Sequence, residues 1–244
     1  MIRFIILLLF LSVFFALSLI MLPLEWLVGK INQNAKDRSS LAIVKFAFRV
    51  VLAISGVTTT VKGLENIPSD EPVLFIGNHN GFYDIIISYV LMKRPTGFVA
   101  KKEMWKVPIL RRWMQNLYCL FLDRENMKEG LKTILKGIDY IKDGKSIVIF
   151  PEGTRNKGEQ DLLPFKAGSF KFAEKTGCKI IPMTQNNTQY IFENQAPRLR
   201  KTHTIIEFGT PIDINSLSKE DRKNISSYTQ SIIMETYIKN KNLI

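Results

Sequence analysis

The chain opens on an apolar run, Phe4 to Leu22, of 19 residues that carry no charge and only Ser12 and Ser18 as polar members. As a helix it would reach roughly 30 Å, about the hydrocarbon thickness of a bilayer, so the pattern predicts a membrane segment. A secretory leader competes with that reading. Its apolar core is usually shorter, and Met21-Leu22-Pro23-Leu24-Glu25-Trp26 lacks a small-residue cleavage pattern, so the segment is expected to be retained. A segment that enters only one leaflet has the same pattern. Leu41 to Ile54 then reads as a helix with Ser40 as its N-cap. Lys45 and Arg49 are four apart and share a face, leaving the others to Phe46, Phe48, Val50 and Val51. That suits an interfacial helix with its cations at phosphate level, although a core helix with two solvated charges looks similar.

Beyond Gly56, short apolar runs alternate with amphipathic stretches, which predicts an α/β fold. Expected strands are Val73–Gly77, Gly97–Ala100, Leu117–Leu122, Ser146–Phe150, Lys179–Met183 and Thr204–Phe208. From Asn126 to Lys142, Leu131, Ile134, Leu135, Ile138 and Ile141 fall on one helical face, and Asp143-Gly144 ends the helix. Helices are also expected over Asp84–Met92, Lys166–Lys175 and Leu217–Lys239. The division is therefore residues 1–55 as membrane-anchoring helices and 56–244 as one α/β domain. In such sheets ligands gather where strands end, so the residues just after the strands carry the functional information.

Composition narrows the partners. With 34 Lys and Arg against 22 Asp and Glu, the formal charge is +12, which favours anionic partners such as headgroups, phosphorylated metabolites, acidic carrier proteins or nucleic acid. Only Arg3 precedes the apolar run, whereas Lys30, Lys36, Arg38, Lys45 and Arg49 follow it. The positive-inside bias thus places the α/β domain on the cytoplasmic side of the cell membrane. Cys119 and Cys178 have no paired spacing, so neither a disulfide framework nor a metal site is expected.

Three segments carry candidate chemistry. In Asn78-His79-Asn80-Gly81-Phe82-Tyr83-Asp84, an unbroken helix would turn His79 and Asp84 apart by about 140°, so a turn at Gly81 must bring them together. Asp84 then falls at a helix start, stays ionised and holds one imidazole nitrogen, leaving the other to take a proton from a hydroxyl. In Phe150-Pro151-Glu152-Gly153-Thr154-Arg155, Gly153 permits a tight turn with exposed N–H groups, Thr154 adds a hydroxyl and Arg155 a planar fork suited to phosphate. Glu152 would repel a phosphate, so it is expected to orient Arg155 or a lysine. Lys101 and Lys102 close the strand Gly97–Ala100 and point oppositely, so one of them can face the site; pattern alone does not say which.

Asn-His-x4-Asp, Ala-Lys-Lys-Glu-Met-Trp-Lys-Val-Pro, Phe-Leu-Asp-Arg-Glu, Phe-Pro-Glu-Gly-Thr-Arg, Leu-Pro-Phe-Lys-Ala-Gly and Ile-Ile-Pro-Met occur here in that order. The set resembles the bacterial 1-acylglycerol-3-phosphate acyltransferases, the PlsC family, over roughly Val73 to Met183. The resemblance implies a mixed β-sheet flanked by helices, as in glycerolipid acyltransferases, preceded by a membrane-associated helical region. It also implies that His79 is the base and Asp84 its partner, and that Gly153, Thr154 and Arg155 with a lysine of the 101 and 102 pair hold the acceptor phosphate. Two departures stand out. Many members carry Gln-Ser after the His, where this chain has Asn80-Gly81, and Arg111-Arg112 stands where a Gly is frequent.

The implied reaction moves a fatty acyl group from acyl-CoA or acyl carrier protein to the sn-2 hydroxyl of lysophosphatidic acid, giving phosphatidic acid. No cofactor is expected, since the thioester is itself a substrate. Acyl carrier protein and membrane phospholipids are candidate partners, and nucleic acid is not. There is no Gly-x-Ser-x-Gly elbow and neither cysteine adjoins the motifs, so direct attack fits better than an acyl-enzyme. Gly144-Lys145-Ser146 is not a phosphate-binding P-loop, because Asp139 stands where its first Gly should be and the segment precedes a strand. Acylation of another lysophospholipid is the near alternative. A noncatalytic basic membrane-binding module is the distant one, and it leaves His79 and Asp84 without a purpose.

Overall fold

The computed structural model describes residues 1–158 and 160–244. Two long helices, α1 (Ile2–Ile31) and α2 (Gln33–Ser55), precede seven strands: β1 (Val57–Lys62), β2 (Leu74–Gly77), β3 (Thr96–Lys101), β4 (Leu120–Leu122), β5 (Ser146–Ile149), β6 (Ile180–Asn186) and β7 (Thr202–Phe208). Helix α3 (Phe82–Leu91) joins β2 to β3, α4 (Pro108–Asn116) joins β3 to β4, α5 (Met127–Lys142) joins β4 to β5, and α6 (Lys171–Thr176) joins β5 to β6. After β7 come α7 (Lys219–Lys223) and α8 (Ile225–Lys241).

Helices α1 and α2 form an antiparallel hairpin. Asn32 joins them, its Oδ1 accepting a hydrogen bond from Ala35 N at 3.0 Å. Ser40, expected to cap α2, lies inside it instead, and its hydroxyl donates to Glu25 Oε2 on α1 at 2.6 Å, with Ser39 donating to the same oxygen at 2.9 Å. Near the other end, the Arg3 guanidinium lies 3.5 Å from the Ser55 carbonyl. Among the described residues α1 is the only helix long and apolar enough to cross a membrane, judged by length and composition. It also lies along the rest of the molecule: Phe4 stacks on Phe192, Phe14 packs at 6.0 Å from Trp113, and Trp113 Nε1 donates to Ser18 Oγ at 2.9 Å. Its outer faces, including Ile5, Leu9, Leu19, Ile20 and Trp26, are exposed.

Leu41, Val44, Ala47 and Val51 of α2 recur at helical spacing and are buried. Phe46 and Arg49 face outward, but Lys45 is not a lipid-facing cation. Its ammonium donates to the Met92 carbonyl at 2.6 Å, satisfying the C-terminus of α3.

The sheet runs β1-β7-β6-β2-β5-β3-β4, with β6, β2, β5, β3 and β4 parallel and β7 antiparallel to β6. It is therefore mixed. Phe75, Val148, Phe98 and Ile181 fill one face toward the hairpin and α3, while Leu74, Ile76, Ile147 and Ile180 fill the other toward α5, α6 and α8. Burial on both faces explains why these strands read as unbroken apolar runs. Each such side chain contributes roughly 1.5–3 kcal/mol. Strand β1, not expected from the sequence, is a sheet edge of Thr58, Thr59 and Thr60 between Val57 and Val61, half exposed along its length. Because β2, β5, β3 and β4 are parallel neighbours, their C-terminal ends meet on one edge, and that edge collects the motifs.

Candidate active site

β2 ends at Gly77, and the loop that follows is held from two sides. Toward β6, Asn78 Nδ2 donates to the Gln185 carbonyl at 2.8 Å while its Oδ1 accepts from Gln185 N at 2.8 Å, and Asn80 Nδ2 donates to the same carbonyl at 3.1 Å. Toward β5, His79 N donates to Glu152 Oε1 at 2.7 Å and the His79 carbonyl accepts from Asn156 N at 2.7 Å. Both backbone groups of His79 are thus fixed by the segment that follows β5, about 70 residues away in sequence.

The His79 side chain stacks on Phe150, with centroids 4.4 Å apart and planes 10° apart. Its Nδ1 donates to Asp84 Oδ2 at 2.8 Å; His79 keeps 17% of its side-chain surface, whereas Asp84 keeps none. Asp84 is the third residue of α3, and its Oδ2 also accepts from Asn80 N at 2.6 Å and Gly81 N at 2.7 Å. Thr188 Oγ1 donates to Oδ1. Four donors and the positive end of a helix converge on one carboxylate, which holds it in place and fixes the ring. Nε2 has no hydrogen-bond partner among the described residues. The turn expected at Gly81 is made differently, because its φ of −164° is extended backbone open to any residue. What glycine provides there is space for a side chain: a Cβ would lie 2.6 Å from Glu193 Oε2.

Glu152 does not orient Arg155, contrary to the sequence expectation. It is buried, with Oε1 on His79 N and Oε2 accepting from Leu163 N at 3.0 Å, so it shapes the loop that carries the imidazole. Burial, opposed by those two N–H donors, raises its pKa to about 7. Gly153 does adopt the left-handed conformation, φ +74°, and a Cβ there would lie 2.9 Å from Lys166 Nζ. Thr154 is exposed beside it. The Arg155 guanidinium lies 4.2 Å from the Phe82 ring centroid and 3.6 Å from Glu193 Oε1, with 43% of its side chain open.

The register aligns Phe98 with Val148, which puts Lys101 near the height of Pro151 and two strand spacings, about 10 Å, from the end of β2. Lys101 is exposed on the face of Val99 and Leu122. Lys102 has left the strand; its ammonium reaches Asp123 at 3.0 Å and Glu125 at 3.3 Å, which raises the lysine pKa and lowers that of Asp123. Between the strand ends lies a cavity of about 220 Å³ lined by Val99, Leu122, Arg124, Phe150, Gly153 and Lys166 among others. Arg124 and Lys166 were not singled out from the sequence, although both stand in the quoted motifs. Thr188 and Glu193 were also missed, and nothing in the local sequence marks them.

Residues 58–186 match the Acyltransferase family. Over 198 residues the chain is 30% identical to a 1-acyl-sn-glycerol-3-phosphate acyltransferase of Borreliella burgdorferi, covering 81% of this chain and 79% of that one. Over 206 residues it is 32% identical to the protein of the same name from Haemophilus influenzae, covering 81% and 82%. In structure it is similar to the 1-acyl-sn-glycerophosphate (LPA) acyltransferase PlsC from Thermotoga maritima, with a TM-score of 0.78 over 98% of both chains. At 21% identity that likeness is one of fold.

Proposed function

The chain belongs to the acyltransferase family, among the 1-acyl-sn-glycerol-3-phosphate acyltransferases, and on that premise we propose that His79 and Asp84 perform its chemistry. The observation that carries this reading is the imidazole fixed through Nδ1 on a buried carboxylate, with Nε2 unpartnered among the described residues at the edge of the sheet. The reaction transfers a fatty acyl group from an acyl thioester to the sn-2 hydroxyl of lysophosphatidic acid, giving phosphatidic acid. As the hydroxyl oxygen adds to the thioester carbonyl, Nε2 takes its proton and Asp84 stabilises the imidazolium. The C–S bond then breaks, and the proton passes from Nε2 to the departing thiolate. The thiol leaves as coenzyme A or acyl carrier protein.

The acceptor phosphate is held by Arg155, the Gly153-Thr154 turn and Lys101. Lys102, committed to Asp123 and Glu125, acts indirectly by fixing the β4 end beside Arg124. Arg124 and Lys166 supply further positive charge across the cavity. Residues 1–55 hold the domain 56–244 at the cell membrane. Since α1 touches the domain near Phe4, Phe14 and Ser18, its outward apolar face is the part left for lipid, which favours entry into one leaflet. The cations that follow the apolar run favour the cytoplasmic side.

The test is acyl thioester consumption by purified protein in detergent, with lysophosphatidic acid or lysophosphatidylcholine as acceptor. Arg155→Ala removes a charge-assisted hydrogen bond worth roughly 1.5–3 kcal/mol, so kcat/KM for lysophosphatidic acid should fall at least tenfold. Arg155→Lys should fall between. The choline-masked acceptor should be poor for wild type and much less sensitive. Equal losses on both acceptors would remove Arg155 from the phosphate site.

A further inference from the structure

The geometry points to Glu193 as a positioning residue that sets the guanidinium of Arg155 for the acceptor phosphate. This rests on the assignment of Arg155 above. Glu193 lies in a short 3₁₀ turn, Glu193–Gln195, outside residues 58–186 that match the family. No motif contains it, yet it touches both halves of the site.

Its Oε1 accepts from Phe82 N, the first residue of α3, at 2.5 Å and lies 3.6 Å from Arg155 Nη1. The Phe82 ring lies under the same guanidinium at 4.2 Å. Arg155 therefore meets a ring on one face and a carboxylate at one edge. Those two contacts fix its plane and leave its remaining donors directed elsewhere. Without Glu193 the exposed side chain would sample many rotamers, and ordering it would fall to the substrate.

Three observations indicate that this carboxylate is there for placement rather than for general solubility. It is 15% exposed, and its Oε2 is buried without a hydrogen-bond partner among the described residues, an arrangement that costs free energy unless the position is needed. Gly81 leaves it room, since a methyl at that position would lie within 2.6–2.9 Å of the carboxylate atoms. Phe192, next to it, packs on Phe82 at 6.5 Å and on Phe4 at 5.8 Å, so the turn is anchored to both α3 and α1.

The experiment compares KM and kcat for lysophosphatidic acid in wild type, Glu193→Gln, Arg155→Ala and the double variant, with folding checked by circular dichroism. Glu193→Gln keeps an oxygen for Phe82 N and loses the charge facing Arg155. KM should rise about five- to tenfold with a much smaller change in kcat, since the contact is made equally in the ground and transition states. In the Arg155→Ala background the same substitution should change KM less than twofold, because residues acting through one another are not additive. Gly81→Ala, whose backbone is compatible with alanine, displaces the carboxylate with its charge retained and should also raise KM. An unchanged or lower KM in Glu193→Gln, or an equal rise with and without Arg155, overturns the inference. If Arg155→Ala itself leaves KM for lysophosphatidic acid unaltered, the phosphate assignment fails instead.

Discussion

On the proposed mechanism, Asp84→Asn separates catalysis from architecture. Asparagine has the same shape. Its oxygen can face His79 Nδ1, Asn80 N and Gly81 N, while its amide faces the Thr188 hydroxyl, which can rotate to accept. Three charge-assisted hydrogen bonds on Oδ2 become neutral ones, a loss of about 1 kcal/mol each and about 3 kcal/mol together. The neutral amide is also cheaper to bury than a carboxylate with no exposed surface, so the net cost is below that. A domain of this size loses about 2–4 °C of Tm per kcal/mol, so the variant should melt at most about 6–12 °C lower and remain folded at room temperature. Activity should fall far more. The imidazolium loses its counter-charge in a buried setting, and the corresponding change in serine protease triads costs about 10⁴-fold in kcat. Asp84→Ala is less informative, because it leaves four donors unpaired and damages the fold at the same time. Thiol release in detergent and a thermal melt suffice as assays. If Asp84→Asn keeps activity within tenfold of wild type, Asp84 does not act through the charge on His79.

Two further outcomes follow from the same geometry. The Glu152 carboxyl binds its proton more tightly in the fold, near pH 7, than the ordinary 4.5, so its contribution to stability is complete below about 4.5 and is lost as pH rises through 7. At 1.36 kcal/mol per unit the loss is about 3 kcal/mol, and Glu152→Gln should flatten it; denaturant unfolding of both proteins at pH 5, 7 and 8 checks this, and parallel curves would reject it. Removing residues 1–24 should weaken membrane attachment without abolishing it and should lower stability by uncovering Trp113. Alkaline carbonate extraction with a melt of each form reads both effects, and full-length protein that washes off readily would contradict the anchoring role.

The parts of the molecule legible in the sequence are those with local causes. The apolar strands β2, β5 and β6 announce themselves because both faces are buried, and α5 does so because one face is. His79 and Asp84 are close in sequence, so the turn between them could be argued. Glu152 was misread because its partners are backbone N–H groups of His79 and Leu163, which no composition encodes. Lys45 was misread for the same reason: the Met92 carbonyl that takes its ammonium is 47 residues away. Helix α4 carries a Pro at its first position, a recognised start signal, but Arg111 and Arg112 mask its apolar face. Edge strand β1 has too few apolar residues to register.

Thr188 and Glu193 have a consequence for the order in which the protein is made. Every motif residue has been joined to the chain once Met183 is added. Asp84 and Arg155 are then still without their last partners, since Thr188 and Glu193 come later and lie in two turns that pack on each other. The cluster around His79 is therefore complete only when the last quarter of the polypeptide, which also supplies β7 and α8, has been joined to it.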